Sequence, residues 1–329
     1  MSQINIKEIK KFINKLNFII INQIKTVKSG KNSKIYKINT NKKKIILKSY
    51  YGKKNLRIRK EFQFYKYLNQ TNIDNVVTPI AFDFKNNLVA LPYIVGNKIH
   101  KVQNKHIIQL SNFINKINQK NIYSRKIGLA VEGINHRKNH ITICQNRINK
   151  LKLVDKKSAI KKKLYLFLRE KIIPTFKILK NKINDKKILC QSKYKLYKKD
   201  MIISPSDFGF HNVIESKKKI FFFDFEYGGY DDPVKLICDF YCQPNQKVSI
   251  KQKEKFKKMI IKKYKNYEQL DYLISELLPI HHLKWCCIIL NEFIPSKLSI
   301  RKHAGQLKND VLQSQLIKAK NYFNHYLKV

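Results

Sequence analysis

Acidic residues are scarce in this 329-residue chain, which has 22 Asp and Glu against 69 Lys and Arg and a formal net charge of +47. Arginine is rarer still, since 62 of the basic residues are Lys and 7 are Arg. A protein that grips phosphates or base edges is expected to use more Arg, whose planar fork binds them bidentately. The Lys residues are spread along the chain, and Lys, Asn and Ile share A/T-rich codons. The charge therefore reflects mainly composition and disfavours nucleic-acid binding.

Long apolar runs are also missing. The longest, which include Ile220–Phe223 and Cys286–Leu290, fall far short of the roughly 18 residues of a membrane span. Met1–Lys15 has no apolar segment followed by a small-residue cleavage site, so we expect no secretion signal. The six Cys have no framework spacing, which fits free thiols in a reducing, cytoplasmic compartment.

Local patterns divide the chain into a β-rich and an α-rich part. Alternating or β-branched residues predict five early strands: Phe18–Val27, Lys34–Asn39, Ile45–Tyr50, Val76–Phe84 and Leu88–Ile94. One helix is predicted among them, at Asn55–Leu68. After Gly96 the spacing is helical, with Pro174 as an expected kink, and only one strand-rich island interrupts it, at Met201–Ile203, Asn212–Ile214 and Ile220–Phe225.

This organisation predicts an α+β, bilobal fold with the outline of a protein kinase. The small N-lobe would span residues 1–95 and consist of a sheet and one helix. The larger, mostly α-helical C-lobe would span residues 96–329 and contain a buried hairpin. At roughly 150 residues per domain, the length is compatible with two such lobes.

The strand-rich island also contains many of the acidic residues of the chain. Eight of the scarce acidic residues fall between Asp200 and Asp239, together with four Lys and no Arg. Surface solvation and helix capping explain several of them, including one of Asp231 and Asp232, which precede Pro233 at an expected helix start. They do not explain Asp224, which follows four apolar residues. An unpaired carboxylate at the end of such a strand is costly to bury, so we expect a cation or a metal beside it.

The expected hairpin brings Asp224 close to an amide. Asn212–Ile214 and Ile220–Asp224 fold back around residues 215–219, so that Asn212 and Asp224 should converge at its open end. Asp207 lies five residues before Asn212, in a loop that contains Gly209. Two carboxylates and an amide oxygen make a hard-oxygen site that suits Mg²⁺.

The segment Ser204-Pro205-Ser206-Asp207-Phe208-Gly209-Phe210-His211-Asn212, followed by Asp224-Phe225-Glu226, resembles the aminoglycoside phosphotransferase/choline kinase-like family. The resemblance implies a catalytic-base role for Asp207 and Mg²⁺-ligand roles for Asn212 and Asp224. Outside these motifs, the chain resembles the family only in the order of its predicted strands and helices. The family usually has His-Gly before the catalytic Asp, where this chain has Pro205-Ser206. His211 is the candidate replacement for the missing His, and Glu226 receives no metal role.

The family resemblance also implies ATP-binding residues in the N-lobe. Lys48 is the one Lys of an apolar strand and corresponds to the lysine that binds the ATP phosphates, although a Lys that extends from an edge strand to solvent is the alternative. Glu61 is the only acidic residue between Glu8 and Asp74, and it lies in the following helix as the expected partner of Lys48. The remaining nucleotide-binding candidates are Gly30, Asn32 and Ser33 in a phosphate-covering turn, and Pro92, Tyr93 and Ile94 at the interlobe hinge.

Other residues suggest chemistry less strongly. Cys238 and Cys242 lie one helical turn apart, and Cys286-Cys287 follow His281-His282, so a zinc site is conceivable, but such residues on apolar helices usually belong to the core. We expect Trp285 in the core as well. Asn291-Glu292 lies in a late helix, where an acceptor pocket could lie.

The sequence therefore predicts an ATP- and Mg²⁺-dependent phosphotransferase that acts on a hydroxyl of a small molecule. Two strings typical of protein kinases, His-Arg-Asp and Ala-Pro-Glu, are absent from the sequence, which favours a small acceptor. Because a +47 protein repels polycations at long range, a neutral or anionic sugar or related metabolite is the preferred acceptor. The alternative is a catalytically silent, kinase-like protein that binds nucleotides or polyanions.

Overall fold

A computed structural model describes most of the chain. The described residues are 5–27, 32–52, 55–71, 73–119, 124, 126–186, 195–244, 248–305 and 310–327.

The N-terminal part forms a five-stranded antiparallel sheet with the strand order β1-β2-β3-β5-β4. Its elements are α1 (Ile6–Lys15), β1 (Lys25–Val27), β2 (Ser33–Asn39), β3 (Lys44–Tyr50), α2 (Leu56–Asn69), β4 (Ala81–Asp83) and β5 (Leu88–Pro92). The predicted second, third and fifth strands and the predicted helix are all present, with shifts of one or two residues at their ends.

Helix α1 was not expected from the strand-like pattern of this region. Asn5 caps its first turn, and the Glu8 side chain accepts from the Asn5 amide, which completes a capping box. Ile9, Phe12 and Ile13 are buried against one face of the sheet. The Asn5–Glu8 spacing was the sequence signal for this helix.

Two predicted strands are much shorter than expected because their apolar residues pack elsewhere. In the segment Phe18–Val27, only the last three residues form β1, since Phe18 is buried in the cluster beneath α1. In Val76–Phe84, only the last part forms β4. The amide of Val77 instead donates to the carbonyl of Phe222 at 2.9 Å, so this stretch joins the sheet to the C-terminal hairpin.

The C-terminal part is mostly helical, as predicted. Its helices are α3 (Asn104–Ile117), α4 (Asn139–Lys152), α5 (Ala159–Phe167), α6 (Ile173–Asp185), α7 (Pro233–Cys242), α8 (Ile250–Ile261), α9 (Tyr267–Ile289), α10 (Pro295–His303) and α11 (Val311–Tyr326). Two antiparallel strand pairs lie among them: β6 (Ile202–Ser204) with β9 (Gly229–Asp231), and β7 (Val213–Ser216) with β8 (Lys219–Phe222). Strand β9 was missed because it is short and begins with glycine.

Pro174 lies in the first turn of α6, directly after the π-helical turn Leu168–Ile172. Because proline has no backbone N–H, it cannot donate the hydrogen bond that a regular helix needs at this point. The helix is therefore distorted locally at the π-helical turn, and it continues beyond Pro174 without a break.

Aromatic residues form the part of the core that carries the hairpin. Phe222 of β8 stacks on Phe113 of α3 with the ring centroids 4.0 Å apart, and Phe225 stacks on Phe64 of α2 at 5.0 Å. The predicted apolar strand is therefore held between one helix of each part. Since such aromatic pairs bury large areas, the end of the hairpin is firmly placed.

One helical stretch within the described residues, Tyr267–Phe293, is long and apolar enough to cross a membrane. Two thirds of its most apolar window is buried inside the protein, as is usual for a core helix. Trp285 of this helix is partly buried and packs against the core, as expected.

The chain leaves the sheet at Pro92 and enters α3 at Asn104, so the predicted lobe boundary at residues 95 and 96 falls in the link between them. The boundary itself stays a prediction. Asn97 in this link exchanges two backbone hydrogen bonds with Glu215 of β7, at 3.0 and 2.9 Å. The hairpin is thereby attached to the link as well as to the core.

Gly96 allows this close approach. A Cβ at this position would lie 2.5 Å from the Glu215 carbonyl oxygen and 2.5 Å from Ile214 Cγ2, so the backbone would have to move. We expect Gly96→Ala to lower the free energy of unfolding in urea by about 1–3 kcal/mol, as overpacking does. Gly128→Ala is the control, because its Cβ would meet only Lys60 Nζ at 3.6 Å. Equal stability of the two variants would contradict this account of the link.

Candidate active site

Lys48 joins the two parts of the molecule. It lies on β3, where the sheet buries it to 5% exposure, and its Nζ is 2.8 Å from Glu61 Oε1. The same ammonium lies 2.9 Å from Asp224 Oδ1 at the end of the hairpin. The predicted contact with Glu61 is thus present, the solvent-directed alternative for Lys48 is wrong, and the expected cation beside Asp224 is Lys48.

The charges around Lys48 compensate for its burial. Burial alone would lower the pKa of this ammonium, but the carboxylates of Asp224 and Glu61 outweigh that effect and raise the pKa. The Tyr50 hydroxyl donates to the second oxygen of Glu61, so that the glutamate is held from two sides. Tyr50 was not predicted as a site residue, although its position two residues after Lys48 puts it on the same face of the strand.

The hairpin brings Asn212 and Asp224 to the same end, as its predicted geometry requires. Val213 pairs with Phe222, and the amide of Phe223 donates to the Asn212 carbonyl at 3.2 Å. Asp224 has a φ of 68°, an unusual conformation for a residue other than glycine. Such strain is typical of functional sites, and here it accompanies the contact between the Asp224 carboxylate and Lys48.

The loop around Asp207 is tied to Asn212. The Asn212 side chain donates from Nδ2 to the Asp207 carbonyl at 2.9 Å. His211 Nε2 lies 3.0 Å from Asp207 Oδ1, so the proposed substitute for the missing family histidine contacts the carboxylate directly. The Asp207 side chain remains 39% exposed, which leaves it accessible to a substrate.

The Pro205-Ser206 segment is held in place by hydrogen bonds of Ser206. Ser206 adopts a φ of 67°, and its amide donates to Ser204 Oγ at 2.9 Å. Lys235 of α7 reaches Ser206 Oγ at 3.4 Å and Asp231 Oδ2 at 2.6 Å. The loop before Asp207 is therefore anchored to α7 by a lysine that the sequence did not single out.

Glu226, which received no metal role from the sequence, makes several polar contacts beside Asp224. It is buried, accepts a hydrogen bond of 2.8 Å from Asn32 Nδ2, and lies 3.5 Å from Arg57 Nη1. Burial first, and then the Asp224 charge, raise the pKa of Glu226 to about 7. Glu226 thereby connects the turn before β2 with the first helical turn of α2.

Three further residues predicted to bind the nucleotide, Gly30, Asn32 and Ser33, belong to the segment that leads into β2. Gly30 lies outside the described residues, and Asn32 directs its amide to Glu226 and to the Tyr227 hydroxyl. Ser33 begins β2 and is buried.

At the predicted hinge, β5 ends at Pro92 and Ile94 packs against the core. The amide of Tyr93 donates to the Lys44 carbonyl at 3.1 Å, so this amide is already engaged within the sheet. The Tyr93 amide is therefore not available to donate a hydrogen bond to adenine.

The oxygen donors of Asn212 and Asp224 fit Mg²⁺. The Asn212 amide nitrogen is engaged by the Asp207 carbonyl, which leaves its Oδ1 as the ligand atom, and the Asp224 carboxylate is 30% exposed. Mg²⁺ commonly takes one or two protein carboxylates and completes its octahedron with waters and substrate phosphates. One amide oxygen and one carboxylate at the open end of the hairpin are therefore sufficient protein ligands for Mg²⁺.

Within the helices that the structure describes, the cysteines and histidines do not form a zinc site. Within the described residues, no three His, Cys, Asp or Glu side chains are placed to hold a metal. Cys238, Cys242, Cys286 and Cys287 are buried free thiols, as the core interpretation predicted. Asp232 caps α7 by accepting from the Val234 amide, which confirms the predicted helix start.

Asp239, near the end of the acidic island, contacts Lys284, Lys235 and the Trp285 indole. Glu292, in the segment suggested as an acceptor pocket, is buried and pairs with Arg301. Both carboxylates thus have cationic partners in the structure.

No family model matches the sequence, and no curated protein matches it. Solved structures do match, over nearly the whole chain. A spectinomycin phosphotransferase in complex with ADP and spectinomycin superposes with a TM-score of 0.60 at 11% identity, covering 96% of this chain and 99% of the other. A choline kinase from Streptococcus pneumoniae gives 0.61 at 15%, covering 97% and 99%.

An ethanolamine kinase from Plasmodium vivax gives a TM-score of 0.56 at 14% identity, covering 91% of this chain and 81% of the other. The chain therefore has the protein-kinase-like α+β fold of the aminoglycoside phosphotransferases and the choline and ethanolamine kinases. The fold predicted from the sequence is confirmed.

The Tyr50–Glu61 hydrogen bond supplies a test of the buried ion pair. Tyr50→Phe removes a donor to a charged group, so we expect a loss of about 1.5–3 kcal/mol in the free energy of unfolding. We also expect weaker ATP binding in calorimetry, because Glu61 loses one of its two supports. Tyr36→Phe is the matched control, since Tyr36 of β2 is also buried and burial alone raises the pKa of its hydroxyl. Similar losses in both variants would argue against the assigned role of Tyr50.

Proposed function

We propose that this protein is an ATP- and Mg²⁺-dependent phosphotransferase that phosphorylates a hydroxyl group of a small molecule. The observation that carries the proposal is the buried contact of Lys48 with both Glu61 and Asp224, next to the loop of Asp207 and on the fold of small-molecule kinases. Phosphoryl transfer requires mainly positioning and charge neutralisation, and these residues offer both.

Lys48 and its neighbours bind the nucleotide in this proposal. Lys48 donates to the ATP phosphates, and Glu61 with Tyr50 keeps the ammonium in place. Asn212 and Asp224 hold Mg²⁺, which when bound neutralises phosphate charge. Asn32 and Ser33 lie at the start of β2, where the turn before the strand would cover the phosphates. Pro92, Tyr93 and Ile94 contribute the hinge beside adenine, with the Tyr93 amide excluded by its contact to Lys44.

Asp207 orients the acceptor hydroxyl and accepts its proton. Its carboxylate is exposed enough to meet a substrate, and the 3.0 Å contact to His211 Nε2 restricts its rotation. The Asn212 side chain fixes the backbone of the same residue. A base held in this way gains from orientation as well as from proton transfer.

The acceptor we favour is a neutral or anionic sugar or a related metabolite. The net charge of +47 repels polycations at long range, and a cytoplasmic location fits the free thiols. The structural neighbours are named for spectinomycin, choline and ethanolamine, so this part of the proposal separates the protein from them.

A screen for acceptor-dependent ADP release across sugars, sugar acids, amino alcohols and aminoglycosides tests the activity. With an active acceptor in hand, Asp207→Asn should lower kcat by at least about a hundredfold, as removal of a general base does, while calorimetry still detects Mg-ATP binding. Asp200→Asn is the control, because it makes the same charge change in the same acidic segment outside the loop.

Normal turnover by Asp207→Asn would refute the proposed mechanism. Mg-ATP binding with no acceptor-dependent ADP release across the screen would instead favour the catalytically silent alternative.

A further inference from the structure

Helix α2 carries an aromatic side chain on its outer face. Glu61 and Tyr65 of this helix are buried, whereas Arg59, Phe62 and Lys66 are exposed. The spacing of three and four residues places these last three side chains on one side of the helix. Phe62 is 37% exposed, so an apolar ring lies between two cations on the solvent side of α2.

A second exposed ring lies beside Phe62. Phe84, directly after β4, is also 37% exposed, and its ring centroid is 5.3 Å from that of Phe62. Phe82 of β4 contacts both rings, with centroids 5.1 Å from Phe62 and 5.9 Å from Phe84. The Arg59 guanidinium lies 5.5 Å from the Phe84 centroid. Single exposed apolar residues are common on protein surfaces, but a contiguous aromatic patch with an arginine over it indicates a binding surface.

The two exposed rings and Arg59 line a cavity of about 390 Å³. Tyr67 of α2 and Ile127, in the segment between α3 and α4, are buried and contribute to the same lining. The Tyr67 hydroxyl donates to the Ile117 carbonyl at 2.5 Å, which ties the lining to the end of α3. The volume of the cavity falls within the range of small-molecule sites in proteins.

The charges of the lining have one sign. Arg59, Lys66 and Lys126 line the cavity, and the described residues around it include no Asp or Glu. The acidic residues closest to the lining along the chain, Glu61 and Asp83, are engaged in the buried ion pair and in the turn after β4, respectively. The arginine is one of seven in the chain, so the general excess of lysine does not explain it. Three cations in such a lining favour an anion.

We infer that this cavity is a binding site for a small molecule that combines an aromatic ring with an oxyanion group. The ring packs against Phe62 and Phe84, and the oxyanion is bound by the three cations. The site is separate from the proposed nucleotide site, because Glu61 meets Lys48 on the buried side of α2. Its existence therefore does not depend on the proposed phosphotransferase activity.

The probe for this cavity is 8-anilinonaphthalene-1-sulfonate, which has aromatic rings and a sulfonate and whose fluorescence rises when it leaves water. It is titrated into the full chain with and without excess Mg-ATP. We expect a dissociation constant on the order of 10–100 μM, as is typical of a ligand of this size, and no effect of Mg-ATP. N-Phenyl-1-naphthylamine has the same rings without the sulfonate. It should bind about fivefold more weakly or worse, because it makes no charge-assisted contacts.

Two variants and a control locate the probe. Lys66→Met should weaken binding of the sulfonate about two- to fivefold, as the loss of an exposed charge contact does. Phe84→Leu keeps an apolar side chain but removes the ring, and it should weaken binding by a similar factor. Lys85→Met is the matched control, since Lys85 is an exposed lysine next to Phe84 that does not line the cavity. Because all three side chains are exposed, the replacements should leave folding intact.

The inference is overturned if the wild type does not bind the sulfonate, if the neutral probe binds as tightly, or if Lys66→Met and Lys85→Met have equal affinities. Displacement of the sulfonate by Mg-ATP would place it in the nucleotide site and would also overturn the inference. None of these results affects the proposed function, which is judged separately by acceptor-dependent ADP release.

Discussion

The buried ammonium of Lys48 is the interaction on which the site depends. One charge on β3 holds a carboxylate from α2 and a carboxylate from the end of the hairpin, and each of the three elements comes from a different segment of the chain. A lone ammonium in this position would be strongly destabilising, and so would a lone carboxylate. The three groups therefore stabilise one another, and their mutual dependence fixes how the sheet, α2 and the hairpin are arranged.

The surrounding residues extend this arrangement outwards. Tyr50 supports Glu61, while Glu226 links the turn at Asn32 to Arg57. On the other side, Lys235 and His211 support the loop of Asp207 without the His-Gly pair that the family usually has. Charged side chains thus do much of the positioning around the site, in a chain where acidic residues are few. The excess of Lys is mostly compositional, but the few Arg side chains near the site have specific partners.

The sequence was sufficient to predict the contacts at the centre of the site, because few other charged residues were available as partners there. Glu61 was the only acidic residue available to Lys48 in its region, and the apolar strand before Asp224 required a cation nearby. The convergence of Asn212 and Asp224 followed from hairpin geometry alone. The supporting residues were not predictable in the same way, since Tyr50, Arg57 and Lys235 meet their partners only through tertiary packing. Helix α1 was overlooked although Asn5 and Glu8 signalled it, because β-branched residues dominated the neighbouring segment.

We propose that Lys48, Asn212 and Asp224 together form the site that binds Mg²⁺ and the nucleotide phosphates. The decisive experiment is calorimetric titration of ATP with and without Mg²⁺, in the wild type and in Asp224→Asn. We expect Mg²⁺ to strengthen ATP binding to the wild type by about tenfold or more, equivalent to about 1.4 kcal/mol, and Asp224→Asn to lose this gain. ATP binding that is independent of Mg²⁺ in the wild type, or no ATP binding at all, would contradict it.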